Sequence, residues 1–374
     1  MAVETTDVAI IGGGIMGSAV ALRLAQRGVS VTVVERGIPG AEASSAAAGI
    51  LGPQMEADGP GPLLELGLAS RALYPSLAVE LRELTGIDVG YNRSGVLAAA
   101  FDDDGEAELV SRRAWQQRRS LNVAWLSGDE VRAREPALAP AIRAALAFGD
   151  DGQVNARELA RAFSQAAAVA GARFLTGRYV RRVVIDNGAA SGIELDGETL
   201  PAGTVVVAAG SWSGLVEGSG VPSTVVRPAR GQLVSIETRP PLFRHVVSVR
   251  GGYLVPRRDG TVLAGSTVEM AGFRKQVTVG GLAAILTLAR TLVPALAEAP
   301  VTGSWSNFRP YTEDHLPVLG ATPVRGLVLA TGHFRNGILL APITAEAIAE
   351  LVATGRSAID LAPFSVARFA RPSP

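Results

Sequence analysis

The sequence has no cysteine, three histidines and a single lysine, Lys275, in 374 residues. Without cysteine there is no disulfide, thiolate metal site, iron–sulfur cluster, cysteine nucleophile or cysteinyl link to a cofactor. A three-histidine zinc site would need His245, His315 and His333 together, and they are widely spaced along the chain, so no metal centre is expected. An excess of one charge is also missing. Thirty-five Lys and Arg balance 35 Asp and Glu, and the pI is near 6.9. A nucleic-acid surface needs a cationic face to neutralise phosphates, so nucleic acid is not an expected partner. Long apolar runs are lacking too. Mean hydropathy is +0.26, yet the longest uncharged stretch, Thr199 to Val216, is broken by Pro201, Gly203, Gly210 and Gly214. That composition suits a buried strand and a turn, not a lipid-facing span. The Met1 to Asp7 segment has no basic group ahead of the first apolar run, a poor match to a secretory leader. The expectation is a cytoplasmic protein with no integral membrane segment.

What is present is mainly Gly, Ala, Val and Leu in α/β order. Val8 to Ile11 reads as a strand, Ile15 to Gly28 as a helix and Val29 to Glu35 as a second strand, a βαβ unit. A small-residue loop, Gly40 to Gly52, precedes a helix from about Leu63 to Thr85. Ser94 to Phe101 and Ala144 to Phe148 read as strands on either side of a polar helix, Gly105 to Ser120, and a proline-rich passage. Asn155 stands where a helix cap belongs, with Glu158 three residues on, the spacing of a capping box for a helix ending at Ala170. Strands follow over Gly177 to Ile185, Ala190 to Leu195 and Val205 to Ala209, and Val225 to Ser266 alternates as an antiparallel sheet does. A helix at Val279 to Leu292, strands at Thr302 to Phe308 and Leu327 to Ala330, and a helix at Gly337 to Val352 complete the chain, with Arg368 to Pro374 frayed. Because βαβ patterning appears at the start, middle and end, the chain is expected to leave its first domain and re-enter it.

The motif with the clearest chemistry is Gly12-Gly13-Gly14-Ile15-Met16-Gly17, placed between strand and helix. Gly12 permits the tight turn, Gly14 lets amides approach a pyrophosphate, and Gly17 allows close strand–helix packing. The helix N-terminus favours the negative charge. Glu35 ends the next strand, about 20 residues on, where an acid accepts from ribose hydroxyls. These residues point to a dinucleotide without choosing between FAD and NAD.

Two later strand-turn segments, Thr204 to Ser213 and Val328 to Ile338, extend the pattern. So do Ser45-Ala46-Ala47-Ala48-Gly49-Ile50-Leu51-Gly52, Tyr253-Leu254-Val255-Pro256, Phe308-Arg309-Pro310 and Gly332-His333-Phe334-Arg335-Asn336-Gly337-Ile338. Together they resemble the FAD-dependent D-amino-acid oxidase superfamily over nearly the whole chain, and within it the glycine oxidases that supply an imine for thiazole synthesis. The resemblance implies a discontinuous Rossmann-like FAD-binding domain, residues 1–85, 150–225 and 315–374, and an α+β substrate domain with a large antiparallel sheet, residues 86–149 and 226–314. It implies that Ser44, Ser45, Ala47, Ala48, Gly49, Ile50 and Leu51 cover the isoalloxazine, where small side chains let a flat ring approach the backbone. The Val180 region resembles the strand that reads adenine. Arg36, Ala209, Gly210, Trp212 and His333 fall in matched FAD segments, and Arg335, Asn336, Gly337 and Ile338 resemble the contacts at the flavin pyrimidine edge. With no cysteine and no histidine before His245, the FAD is expected to be non-covalent.

For the substrate, the resemblance assigns Arg309 to the amino-acid carboxylate, with Tyr253 assisting and Arg335 lining the site. A guanidinium fork matches a carboxylate bidentately, and a buried phenol adds a donor. His333 is expected to be structural or flavin-adjacent, and His245 and His315 structural or solvated. Where some relatives carry histidine and methionine, this chain has Gly251 and Val268, expected to enlarge the pocket. The implied reaction is oxidation of glycine, sarcosine, N-ethylglycine or small D-amino acids such as D-alanine and D-proline, with O2 reduced to H2O2. An amino-acid dehydrogenase serving a quinone or protein acceptor and a non-catalytic FAD-binding subunit are the alternatives. The resemblance also implies a homo-oligomer, a tetramer.

Overall fold

A computed structural model describes residues 5–370. The first four residues of the segment tested as a leader, and residues 371–374 of the expected frayed end, lie outside them. Arg368, within that expected end, is held by Asp314 at 2.6 Å.

Two eight-stranded sheets make the frame. In the first, the strand Thr6–Ile11 lies between Val31–Glu35 and Thr199–Val207, parallel to both. Leu327–Thr331 continues the parallel set beyond Thr199–Val207, and Arg173–Thr176 continues it beyond Val31–Glu35. Alternation decides the faces. Val8, Ile10, Val33, Val206 and Val328 point to one side, under the helices Ile15–Ala25, Pro62–Thr85, Ala156–Val169 and Gly337–Thr354. Ala9, Ile11, Val34, Val205 and Val207 point to the other, against Val183 and Ile193 of the hairpin Arg182–Asp186/Ala189–Glu194. Fully burying a side chain of this size stabilises by about 1.5–3 kcal/mol, so both registers are firmly set.

The second sheet runs Val301–Tyr311, Arg227–Glu237, Thr261–Gly265, Gly252–Pro256, Val246–Val249, Val96–Ala100, Ala144–Phe148, Ala124–Ser127. Its pairs are antiparallel except Val246–Val249 with Val96–Ala100, which is parallel, so the expected antiparallel sheet contains one parallel join. One face packs on the helix Val279–Leu292. The other carries Leu233, Tyr253 and Val255 towards Ala48 of the Gly40 to Gly52 loop and Met55 of the short helix that follows it, Pro53–Glu56.

Three local departures have physical causes. Gly177 takes a positive φ of 69° just after an unexpected strand, Arg173–Thr176, and of the expected strand 177–185 only the end forms, as Arg182–Asp186. Asn155 does cap its helix, accepting from the Arg157 and Glu158 amides at 3.1 and 3.3 Å. The reciprocal half of that box is missing, because Glu158 pairs with Arg161 and the Asn155 amide donates to Val89 O. The complete box is at Ser127 and Glu130, which opens an unexpected helix, Gly128–Arg134.

The last helix, Gly337–Thr354, is long and apolar enough to span a membrane by length and composition, but 61% of it is buried in the core. It contains Pro342, which cannot donate to Ile338 O and disturbs the next bond. The long helix Pro62–Thr85 repairs both losses. Tyr74 Oη donates to Ile338 O, and Ser70 Oγ donates to Leu339 O at 2.6 Å. Both donors are fully buried, and burial pushes the Tyr74 hydroxyl well above its ordinary pKa, so it keeps its proton.

Candidate active site

A cavity with about 1770 Å³ of empty space, counting the part open to solvent, runs from the glycine turn to the second sheet. Two helix N-termini, at Gly14 and Asn336, reach its wall, and neither N-cap residue supplies a capping side chain. First-turn amides left in this way favour negative charge.

At the glycine turn, Gly12 has φ +101°, and a Cβ there would stand 2.7 Å from Ala208 O. A Cβ on Gly17 would strike Gly12 O at 1.9 Å, so the helix sits directly on the turn. Glu35 braces this end: its two oxygens accept from the Gly13 and Gly37 amides, each at 2.8 Å. The Ile15 amide donates to Ser44 Oγ at 2.9 Å and ties the small-residue loop to the helix start. Arg36 lies over the Trp212 ring at 3.9 Å and pairs with Glu42, which also binds Lys275 at 2.6 Å. Gly12, Gly14, Ile15, Met16, Glu35, Arg36, Val180, Ala209, Gly210 and Trp212 all line the cavity.

The loop Gly40 to Gly52 is anchored. Arg257 Nη2 donates to Ala48 O at 2.7 Å, and Trp305 Nε1 to Ala46 O at 3.0 Å. Gly49 has φ +80°, and a Cβ there would lie 2.0 Å from Val154 O. Ser44, Ala47, Ala48, Gly49 and Ile50 face the cavity. Three predicted residues stand off its wall. Leu51 is buried in the helix-side core, Ser45 donates to Glu42 O at 3.3 Å, and Gly17 is pressed onto Gly12.

At the far end, Arg309 and Tyr253 face the cavity from the first and fourth strands of the second sheet, Val301–Tyr311 and Gly252–Pro256. Arg309 Nη1 donates to Thr267 O at 3.0 Å and Nη2 to Ser266 Oγ at 2.6 Å. Both acceptors are neutral, and among the described residues no carboxylate pairs with Arg309 directly. Burial pushes its pKa down, with the Tyr253 hydroxyl acting against that shift. Gly231 makes room for the guanidinium, since a Cβ there would lie 2.1 Å from Nη1. Arg335 is different: Nε and Nη2 grip Glu56 at 3.1 and 3.2 Å, and this carboxylate raises its pKa. Asn336, Gly337 and Ile338 line the wall beside it. His333 is fully buried with Nε2 3.1 Å from Thr344 Oγ1, and burial lowers its pKa to about 3, so the ring is neutral near pH 7.

The predicted pocket-enlarging positions are not in the wall. Gly251 sits in a hairpin turn at φ +95° with nothing near a built Cβ, and Val268 is 49% exposed. His245 pairs with buried Glu135, and His315 packs on Tyr311 and Phe334. Sequence reasoning missed Glu56, Gly231, Ser266 and Arg257. Arg257 adjoins the Tyr253–Pro256 motif and Ser266 lies two residues before Val268, whereas Glu56 and Gly231 carried no local signal.

Glycines that bring the backbone within reach, two helix N-termini at the wall and an apolar-walled cavity fit a flavin dinucleotide. Comparison with known proteins agrees. The family of FAD dependent oxidoreductases known as DAO matches residues 7–351. A glycine oxidase of Geobacillus kaustophilus is 41% identical over 367 residues, covering 97% of each chain. The bifunctional protein ThiO/ThiG of Synechocystis is 37% identical over 98% of this chain and 54% of its own length. The crystal structure of glycine oxidase from Geobacillus kaustophilus superposes with a TM-score of 0.94 at 40% identity, over 98% of this chain and all of that one. The chain therefore belongs to the DAO family of FAD dependent oxidoreductases.

Proposed function

We propose that the protein oxidises glycine and small amines or D-amino acids, among them sarcosine, D-alanine and D-proline. The products are an imine, which hydrolyses or is passed on, and H2O2 from O2. The observation that carries this reading is Arg309, a guanidinium facing the cavity and satisfied only by neutral acceptors. A substrate carboxylate completes it with charge-assisted bonds, and the buried Tyr253 hydroxyl adds a donor. This clamp fixes the Cα–H direction, an orientation effect. Bound FAD, held non-covalently, supplies the two-electron acceptor. The residues that would hold it are the Gly12–Met16 turn, Glu35, the Ser44–Ile50 loop and the Arg335–Ile338 helix start. His333 keeps its wall neutral and offers no proton near pH 7.

The same reading divides the chain at the predicted boundaries. Every strand of the first sheet falls in 1–85, 150–225 or 315–374, and every strand of the second in 86–149 or 226–314. The test is Arg309→Ala in steady-state kinetics with glycine and sarcosine, beside FAD titration. KM is expected to rise about 100-fold, the worth of two charge-assisted bonds, with FAD affinity nearly unchanged. An unchanged KM sinks the assignment. Slow reoxidation of the reduced protein by O2 in stopped flow moves the reading to a dehydrogenase.

A further inference from the structure

The substrate end of the cavity holds two guanidiniums and one carboxylate: Arg309, Arg335 and Glu56. Their charges interact, since Arg335 depresses the Arg309 pKa and Glu56 raises it. They are not equivalent. Arg309 donates to Thr267 O and Ser266 Oγ and has the Tyr253 hydroxyl beside it, and among the described residues no carboxylate pairs with it directly. Arg335 has its fork already occupied by both oxygens of Glu56.

Glu56 is also fixed in place. It ends the short helix Pro53–Glu56, whose backbone is held by a buried polar network. Met55 N donates to Asp151 Oδ2 at 3.1 Å, Arg112 Nη1 donates to Met55 O at 2.6 Å, and Gln116 Nε2 donates to Gln54 O at 2.8 Å. Gln54, Gln116 and Asp151 are fully buried. A carboxylate on so constrained a backbone has little freedom to leave its partner.

We propose that Glu56 sets the charge class of the substrate: by occupying Arg335 it leaves one guanidinium for one carboxylate, so the site takes monocarboxylic amines and rejects amines bearing a second anionic group. The inference rests on the reading of Arg309 as the carboxylate clamp. An arriving second anion would have to displace Glu56 or remain beside it, unpaired in a partly desolvated wall, which is costly either way.

The test uses the FAD-loaded protein and non-reacting probes: acetate as the monoanion, malonate and succinate as dianions of two lengths. Dissociation constants are read from the perturbed flavin absorbance, without turnover. Wild type is expected to prefer acetate by about tenfold or more. Glu56→Gln frees Arg335 and should tighten at least one dianion about tenfold, the worth of a charge-assisted pair, with acetate changing far less. Glu56→Asp, which keeps the charge, should keep the discrimination. In Glu56→Gln/Arg335→Met the gain should vanish. An unaltered dianion-to-acetate ratio in Glu56→Gln, or a gain that survives in the double variant, overturns the proposal while leaving Arg309 in place. Failure of acetate to perturb the wild-type flavin strikes the clamp assignment itself, and this inference falls with it.

Discussion

Gly231→Ala adds one methyl group at a position the fold itself does not reserve for glycine. Gly231 lies in a regular ladder, opposite Asn307, without a positive φ. The added Cβ would lie 2.1 Å from Arg309 Nη1, 2.5 Å from Cζ and 2.6 Å from Nη2. These atoms are the tip of a long flexible side chain beside an open cavity, so the guanidinium can retreat and the strand need not. The stability cost should therefore be small, about 1 kcal/mol or less. The functional cost is not small. To reach ordinary contact the tip must move by about 1 Å or more, and such a misplacement of a positioning group costs on the order of 100-fold. Its bonds to Ser266 Oγ and Thr267 O are lost in the same movement. Steady-state kinetics with glycine and sarcosine should show kcat/KM falling by about 100-fold, mostly through KM, while FAD titration and Tm stay near wild type. A kcat/KM close to wild type would refute the reasoning. Concurrent loss of FAD and of Tm would show that the strand had yielded and the side chain had not.

Two further outcomes follow from buried hydrogen bonds. Tyr74→Phe leaves Ile338 O without its donor beside Pro342, and should cost about 1–3 kcal/mol in calorimetry, with weaker FAD binding because the cavity-lining helix start loosens. His333 titrates in the unfolded chain near its ordinary 6.5 but in the folded chain only near 3. The unfolded state therefore takes up the proton first, and stability present above about pH 6.5 is lost as pH falls towards 3. His333→Gln should remove about 1.4 kcal/mol per pH unit of that slope in urea unfolding between pH 6 and 4. Asp151, raised by burial to about 7 from 3.8, has the opposite sign in this window. The difference between variant and wild type is thus the readout, and parallel curves would contradict it.

Where a local rule fixed the outcome, the sequence was enough. The glycine turn and the helix it opens needed only a tight turn followed by apolar periodicity, and the helix Val279–Leu292 was read at its observed bounds. The capping box at Ser127 and Glu130 was legible too, but the more apolar helix after Asn155 drew the assignment instead. The substrate end was only half legible. Arg309 and Tyr253 lay in distinctive segments, whereas Glu56 reads as an ordinary solvated acid until Arg335, 279 residues away, closes on it. Gly231 shows nothing in one dimension, because the atom that would collide with its missing side chain belongs to another strand. Gly251 and Val268 were misjudged for the complementary reason: a residue close in sequence to a site residue turned out to point away from the cavity.

Lys275 supplies the chain's one ε-amine, and its partner Glu42 sits in the loop that follows the first βαβ unit, while Lys275 itself lies beyond the strand Thr261–Gly265 of the other sheet. Its side chain is 44% accessible. Acylation would therefore modify one side chain, on the seam where the two sheets' loops meet, and would remove the cation that bridges them. Apart from the α-amino group, which acylates at lower pH, the molecule already has a single amine address for a fluorophore or a surface tether, placed next to the cavity and chosen by composition rather than by mutagenesis.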